Sequence, residues 1–325
     1  MSTVAFAQSH PLQPYCYHIH DNNSAYVIRL GMLSILATLT TTLVASHVIP
    51  IHFVGSGNPL LYVEATLNGV PNCRLVLDTG NGTEHSLVSQ AEAAKLGMVT
   101  KEYHSTHKGF AVGNDKMAAG RLGKLKTLQL GDIKMKDLPV LVSQTVDGLA
   151  ASTHSPFCGV LGYSFFKSYA LTFDYKAMTL TLEVSSRPPK KSIPFTIKKD
   201  SPIILIDVPI AGLGVRKFVL DTGAGADVIS REVMKDLRLT SIQQVPMRGA
   251  KGLAQADLVH IPALTFAGNS FKPPFAVAAD FLPDLSKVVG VPLDGVIGQT
   301  TLRQYRFTID YIHRRVWAEP GEKEI

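Results

Sequence analysis

Cysteine, tryptophan and N-terminal charge are what this sequence has least of. Its 325 residues include 3 cysteines and 1 tryptophan, and residues 1–63 hold only two formally charged side chains, Asp21 and Arg29. So few cysteines exclude the disulfide framework of small secreted domains and a four-cysteine zinc site. One of the three, Cys16, lies in the charge-poor N-terminal stretch, which leaves Cys73 and Cys158 either to pair in an oxidising compartment or to pack as small hydrophobes. The 11 histidines include no His-Glu-x-x-His pattern, so the sequence indicates neither a metal site nor a cofactor. Gly-x-Ser-x-Gly is missing, which removes the nucleophile elbow of serine hydrolases. Gly212-Leu213-Gly214 lacks the third glycine of a dinucleotide-binding loop. The formal charge of +6 arises from scattered Lys and Arg, clustered only at Lys190-Lys191, Lys198-Lys199 and Arg314-Arg315, with no basic stripe to track a nucleic acid.

Hydrophobic residues make up 46% and charged residues 18%, with Gly and Pro spread throughout, the composition of a globular, strand-rich body. The length suits two cores of ordinary size. Residues 30–45 are apolar with interspersed Ser and Thr, the pattern of an export leader, and Val44-Ala45-Ser46 supplies small residues for cleavage. Counted from residue 25, the same stretch is long enough to anchor the chain in a membrane.

What the sequence does have is a repeat. Leu75-Val76-Leu77-Asp78-Thr79-Gly80 recurs as Phe218-Val219-Leu220-Asp221-Thr222-Gly223, 143 positions on (221 − 78). Gly159-Val160-Leu161-Gly162 recurs as Gly295-Val296-Ile297-Gly298, 136 positions on (295 − 159), and that register holds without a gap to Glu183 and Glu319. Within it Tyr169/Tyr305, Thr172/Thr308, Asp174/Asp310 and Tyr175/Tyr311 are identical pairs. Each copy reads as strand, Asp-Thr-Gly, a variable middle, Gly-apolar-apolar-Gly, and a closing strand pair. Strands are expected at 61–67, 74–77, 127–130 and 179–184 in the first copy, and at 203–210, 217–220, 263–266 and 315–318 in the second. One short helix per copy is expected, at 90–96 and 231–237, with Ser89 and Ser230 as N-caps. The Pro188-Pro189 segment between the copies disfavours helix and central strand and reads as a linker. The expected boundaries are leader and linker 1–53, first lobe 54–186, linker 187–192 and second lobe 193–325.

An aspartate following three apolar strand residues is expensive to bury unless it is hydrogen-bonded or functional, and here it occurs twice at equivalent positions. The adjacent Thr supplies a hydroxyl, and the Gly allows an approach that a Cβ would block. On these residues the sequence resembles the retropepsin and pepsin clan of aspartic peptidases, in a two-lobed bacterial-type form, over roughly residues 57–320. The resemblance implies an all-β fold of two retropepsin-like β-barrel lobes with a cleft between them and few short helices. It implies catalytic Asp78 and Asp221, active-site loops completed by Thr79, Gly80 and Asn81 and by Thr222, Gly223 and Ala224, and Gly159, Gly162, Gly295 and Gly298 supporting the loops from behind.

The activity so implied is aspartic endopeptidase, acting through a water on a protein or peptide in extended conformation. The chain is then a monomer that supplies both halves of its site, with no metal, cofactor or nucleic-acid partner, exported or anchored facing outside the cytoplasm. Hairpins at 108–113 and 248–252 are candidate flaps. The closing strands at 179–184 and 315–318 are expected to help join the lobes. Asn81 departs from the family's usual Ser or Ala and can donate a side-chain hydrogen bond to Asp78, which would make Asp78 the more readily ionised partner. The first loop also carries two more residues before Leu87 than the second has before Val228. These two departures motivate the alternative, a non-catalytic peptide-binding or membrane-anchored scaffold protein that retains the fold.

Overall fold

The computed structural model describes residues 46–55, 59–103, 120–198, 201–249 and 252–320. It is mostly β, with six short helices among the described residues. Among them no helix is long and apolar enough to cross a membrane. Both repeats fold the same way. In the first, Val70–Leu77 runs parallel to Gly159–Leu161, which pairs antiparallel with Ser86–Val88, which in turn runs parallel to Ile133–Val142. In the second, Gly214–Leu220, Gly295–Ile297, Val228–Ser230 and Ala276–Ala279 repeat that order and those directions. Gly120–Leu130 continues the first sheet and returns to Leu60–Leu67 through Thr66 and Leu67, curling it toward a barrel.

The reasons are local. Gly120–Leu130 alternates buried and exposed residues over most of its length, the period of a half-buried strand. The strands that lead into the Asp-Thr-Gly loops end in three consecutive buried apolar residues, Leu75-Val76-Leu77 and Phe218-Val219-Leu220, covered on both faces. The helices Gln90–Lys95 and Arg231–Asp236 begin where expected: Ser89 Oγ accepts from Glu92 N at 2.9 Å and Ser230 Oγ from Val233 N at 3.1 Å.

A third sheet joins the lobes, in the order Ser46–Pro50, Thr179–Glu183, Ala170–Asp174, Tyr305–Asp310, Arg315–Pro320, Ile193–Pro194. The joining pair is Ala170–Asp174 against Tyr305–Asp310, and the strands expected to do this lie one place further out. The apolar content explains the difference: Ala170, Leu171, Phe173, Phe307 and Ile309 are fully buried, as central strands require. Phe173 stacks on Phe307 at 4.9 Å between centroids, an arrangement contributing about 0.5–1.5 kcal/mol beyond its buried area. Thr172 lies opposite Thr308, its own counterpart in the repeat, and the two hydroxyls hydrogen-bond at 2.8 Å. A pseudo-twofold axis therefore passes between them.

Two expectations need correction or placement. The folded body begins upstream of residue 54: Ser46–Pro50 pairs with Thr179–Glu183, and His52–Val54 pairs with Leu60–Leu67. Ile49 and Ile51 are buried, so this segment belongs to the core and not to a linker. Of the flap candidates, 108–113 lies outside the described residues. Of residues 248–252, Arg248, Gly249 and Gly252 lie at one end of the antiparallel pair Gln243–Gly249 and Gly252–Val259, and 250–251 lie outside the described residues.

Thr172→Val or Thr308→Val alone should destabilise the protein by about 1–3 kcal/mol, because each leaves a buried hydroxyl unpaired. The double variant should recover most of that loss, as a double-mutant cycle by chemical denaturation would show.

Candidate active site

Each Asp-Thr-Gly loop leaves the end of a buried strand. Asp78 N donates to Leu161 O at 3.1 Å and Asp221 N to Ile297 O at 3.0 Å, so each aspartate is tied to the Gly-apolar-apolar-Gly strand of its own lobe. The two loops then grip each other. Thr79 Oγ1 donates to Leu220 O at 2.9 Å and accepts from Thr222 N at 3.0 Å, while Thr222 Oγ1 donates to Leu77 O at 2.8 Å and accepts from Thr79 N at 3.1 Å. Both threonines are buried, and each hydroxyl is used as donor and acceptor.

This grip brings Asp78 and Asp221 together over the glycines. A Cβ on Gly80 would lie 2.3 Å from Asp221 Cγ, and one on Gly223 would lie 2.7 Å from Asp78 Cγ, so any side chain at either position would collide with a carboxylate. Gly162 and Gly298 lie directly behind the loops, where a Cβ would meet Asn81 Nδ2 at 2.6 Å and Ala226 O at 2.4 Å. Gly159 and Gly295 sit further back, against Leu87 O and the Phe218 ring, and relieve the strand crossing instead of the loops.

Burial pushes the Asp78 carboxyl well above the usual carboxylate range, and the neighbouring Asp221 charge adds to the effect. Asp221 is also raised by burial, but the Gly223, Ala224 and Gly80 amides oppose the shift. The Gly223 N–H donates to Asp221 Oδ1 at 2.7 Å, whereas Asp78 Oδ1 is buried with no hydrogen-bond partner among the described residues. Burial, the Asp221 charge and the unpartnered Oδ1 thus favour the shared proton on Asp78, although the Gly80 and Asn81 amides pull its carboxyl the other way. This reverses the expectation drawn from Asn81. The Asn81 side-chain amide donates to His85 O at 3.1 Å, and its Oδ1 accepts from Thr83 N and Thr83 Oγ1, so it braces the longer first loop and turns away from the carboxylate. The substitution and the two-residue insertion are one local feature.

Several supporting residues escaped the sequence reading. Ser86 Oγ accepts from Gly162 N at 3.2 Å and contacts Ser164 Oγ at 2.9 Å. At the matching place in the second lobe Asp227 accepts from Gly298 N at 2.8 Å and from the Thr301 hydroxyl at 2.5 Å. Gln299 Nε2 donates to Thr222 O at 2.8 Å. The available signal was the hydroxyl pair Ser164 and Thr300 at equivalent positions of the repeat. Asp174 and Asp310, the last residues of their strands, accept from Ala177 N and His313 N at 2.9 and 3.0 Å.

Two like lobes with interlocked Asp-Thr-Gly loops define a pepsin- and retropepsin-like aspartic peptidase built from two repeats. The aspartyl protease family profile matches residues 63–165 and 206–301, more than half of the sequence, and the chain belongs to that family. No curated protein sequence matches it. Among solved structures, the aspartic proteinase from Irpex lacteus matches with 12% sequence identity and a TM-score of 0.48, covering 86% of this chain and 98% of that one.

Burial raises Asp227 to about 7, against the opposing Thr301 hydroxyl and Gly298 amide. An unfolded aspartate releases its proton near about 3.9. The unfolded state thus binds fewer protons between these values, and stability should fall as pH rises through that window and be unaffected by this group below it. Asp227→Asn should flatten that fall by on the order of 2–4 kcal/mol relative to wild type in denaturation measured from pH 4 to 7. Asn81→Ala should leave the acidic limb of the pH–activity profile in place, since its amide faces His85.

Proposed function

We propose that the protein is an aspartic endopeptidase that hydrolyses peptide bonds with a water activated between Asp78 and Asp221. The observation that carries this reading is the reciprocal Thr79–Thr222 grip, which sets the two carboxyls face to face with room only for glycine beneath each. Two such groups share one proton. The ionised Asp221 takes a proton from the water as the water oxygen attacks the scissile carbonyl carbon. The protonated Asp78 donates toward the carbonyl oxygen, giving a neutral tetrahedral intermediate with no covalent enzyme adduct. Its collapse breaks the C–N bond once the amine nitrogen has been protonated.

The substrate class is a protein or peptide in extended conformation, bound across the cleft between the lobes. Both loops belong to one chain, which supports activity as a monomer. The charge-poor stretch ending in the apolar run at 30–45 supports export, with the catalytic body outside the cytoplasm. The non-catalytic alternative loses its main motive, because Asn81 and the insertion are accounted for within the first loop.

Asp78→Asn and Asp221→Asn should each lower kcat by about a thousandfold or more in a peptide-library digestion, with the fold retained by circular dichroism. The wild-type rate should be bell-shaped in pH, falling when the pair gains its second proton and again when it loses the shared one. Activity should be first order in enzyme on dilution. Full activity in both Asn variants would overturn the reading.

A further inference from the structure

The two lobes differ most informatively at a place away from the cleft. Where Gly214–Leu220 meets the start of Gly295–Ile297, Asp294 N donates to Lys217 O and Ser230 N to Asp294 O, both at 2.8 Å. At the equivalent place in the first lobe Cys158 N donates to Arg74 O and Ser89 N to Cys158 O, both at 2.9 Å. The backbones coincide, but the side chains do not. The second lobe carries the ion pair Arg216–Asp294, at 3.9 Å, and a buried Val233 at the third residue after its helix cap Ser230. The first lobe carries Cys73 and Cys158 at the ion-pair positions and Glu92 at the valine position. An ion pair and an apolar residue have thus been replaced together by two thiols and a carboxylate.

These three groups are placed as ligands. One sulfur and one carboxylate oxygen per residue lie within 4.8 Å of one another, and Cys73 Sγ is 3.5 Å from Glu92 Oε1. In a tetrahedral zinc site with Zn–S of about 2.3 Å and Zn–O of about 2.0 Å, neighbouring sulfur and oxygen ligands stand about 3.5 Å apart. Glu92 is free for this role because the local hydrogen bonding releases it. Ser89-x-x-Glu92 has the form of a capping box, in which the glutamate would accept from Ser89 N, but that N–H is taken by Cys158 O. The carboxylate turns instead toward Cys73 and toward Lys95 Nζ, at 3.4 Å.

Charge also balances: two thiolates and a carboxylate around a divalent ion leave a net single negative charge, which the lysine offsets. Cys73 and Glu92 are buried and Cys158 is partly exposed, so an ion has an entry side and room for a fourth, non-protein ligand.

We propose that Cys73, Glu92 and Cys158 form a binding site for a thiophilic divalent cation of the zinc class. Bound there, the ion clamps the helix Gln90–Lys95 to the two strands that carry the first catalytic loop and its support. This site is independent of the peptidase chemistry. Thiols must lose their protons to bind as thiolates, so each ion taken up releases protons to the buffer.

The test uses the full chain carrying Cys16→Ser, reduced and freed of metal with a chelator. Zinc should then bind at one ion per chain, raise the melting temperature and protect both remaining thiols from alkylation. Cobalt should give thiolate charge-transfer absorption with intense visible bands of a tetrahedral site. Cys73→Ser and Cys158→Ser should weaken zinc binding about a hundredfold or more, and Glu92→Gln about tenfold. If a serine variant fails to fold, alkylation protection in the otherwise unmodified chain still decides. Reduced protein that binds no zinc would overturn the proposal. So would a chain that is lighter by two hydrogens with both thiols blocked in the absence of metal, which would mean that a disulfide occupies the position instead.

Discussion

Everything at the active site depends on two threonine hydroxyls. A carboxylate pair in contact repels itself once both members are charged, and the proton the two share does not by itself fix the loops that carry them. The Thr79 and Thr222 hydroxyls supply that hold by reaching across the lobe boundary to the last strand carbonyls and first loop amides of the opposite lobe. Buried hydrogen bonds of this kind contribute modestly when made but leave unsatisfied groups when broken. Separation of the loops would break four hydrogen bonds at once. The grip therefore tends to be wholly formed or wholly lost, which suits a site whose proton must be shared between fixed positions.

Around the grip, support comes in layers that are alike in form and different in detail. Each aspartate hangs from the last carbonyl of the strand behind it, and at that same end the following glycine amide donates to a polar residue. In the first lobe that residue is Ser86 and in the second it is Asp227. The neutral hydroxyl carries no charge into the core, whereas the carboxylate does, and burial shifts it accordingly. The second lobe adds Gln299, whose side chain holds the Thr222 carbonyl.

Much of this was legible in the sequence, because duplication makes a weak signal checkable against itself. The Asp-Thr-Gly motifs, the paired glycine motifs and the serine caps at Ser89 and Ser230 each appear twice and in the same order along the chain, and accident does not repeat a whole series. What could not be read were directions. Asn81 can donate to Asp78 or to His85, and only the path of the inserted loop residues decides between them. The strands joining the lobes could not be separated by periodicity from those beside them, since both pairs are apolar and equally spaced. The segment at 46–53 carries no formal charge and mixes Ser, His and Pro with apolar residues, so nothing in its pattern marks it as a core strand, although Ile49 and Ile51 are buried.

The meeting of Thr172 with Thr308 at the centre of the shared sheet has a historical consequence. A residue that pairs with its own copy is what a symmetric association of two identical chains produces. Joining the copies through the short segment after Glu183 preserves that geometry while ending the rule that every substitution must be accepted twice. Serine matching aspartate, cysteine matching arginine and asparagine matching alanine at equivalent positions are differences that two copies of one identical chain cannot carry. Each half has since been free to specialise without disturbing its twin.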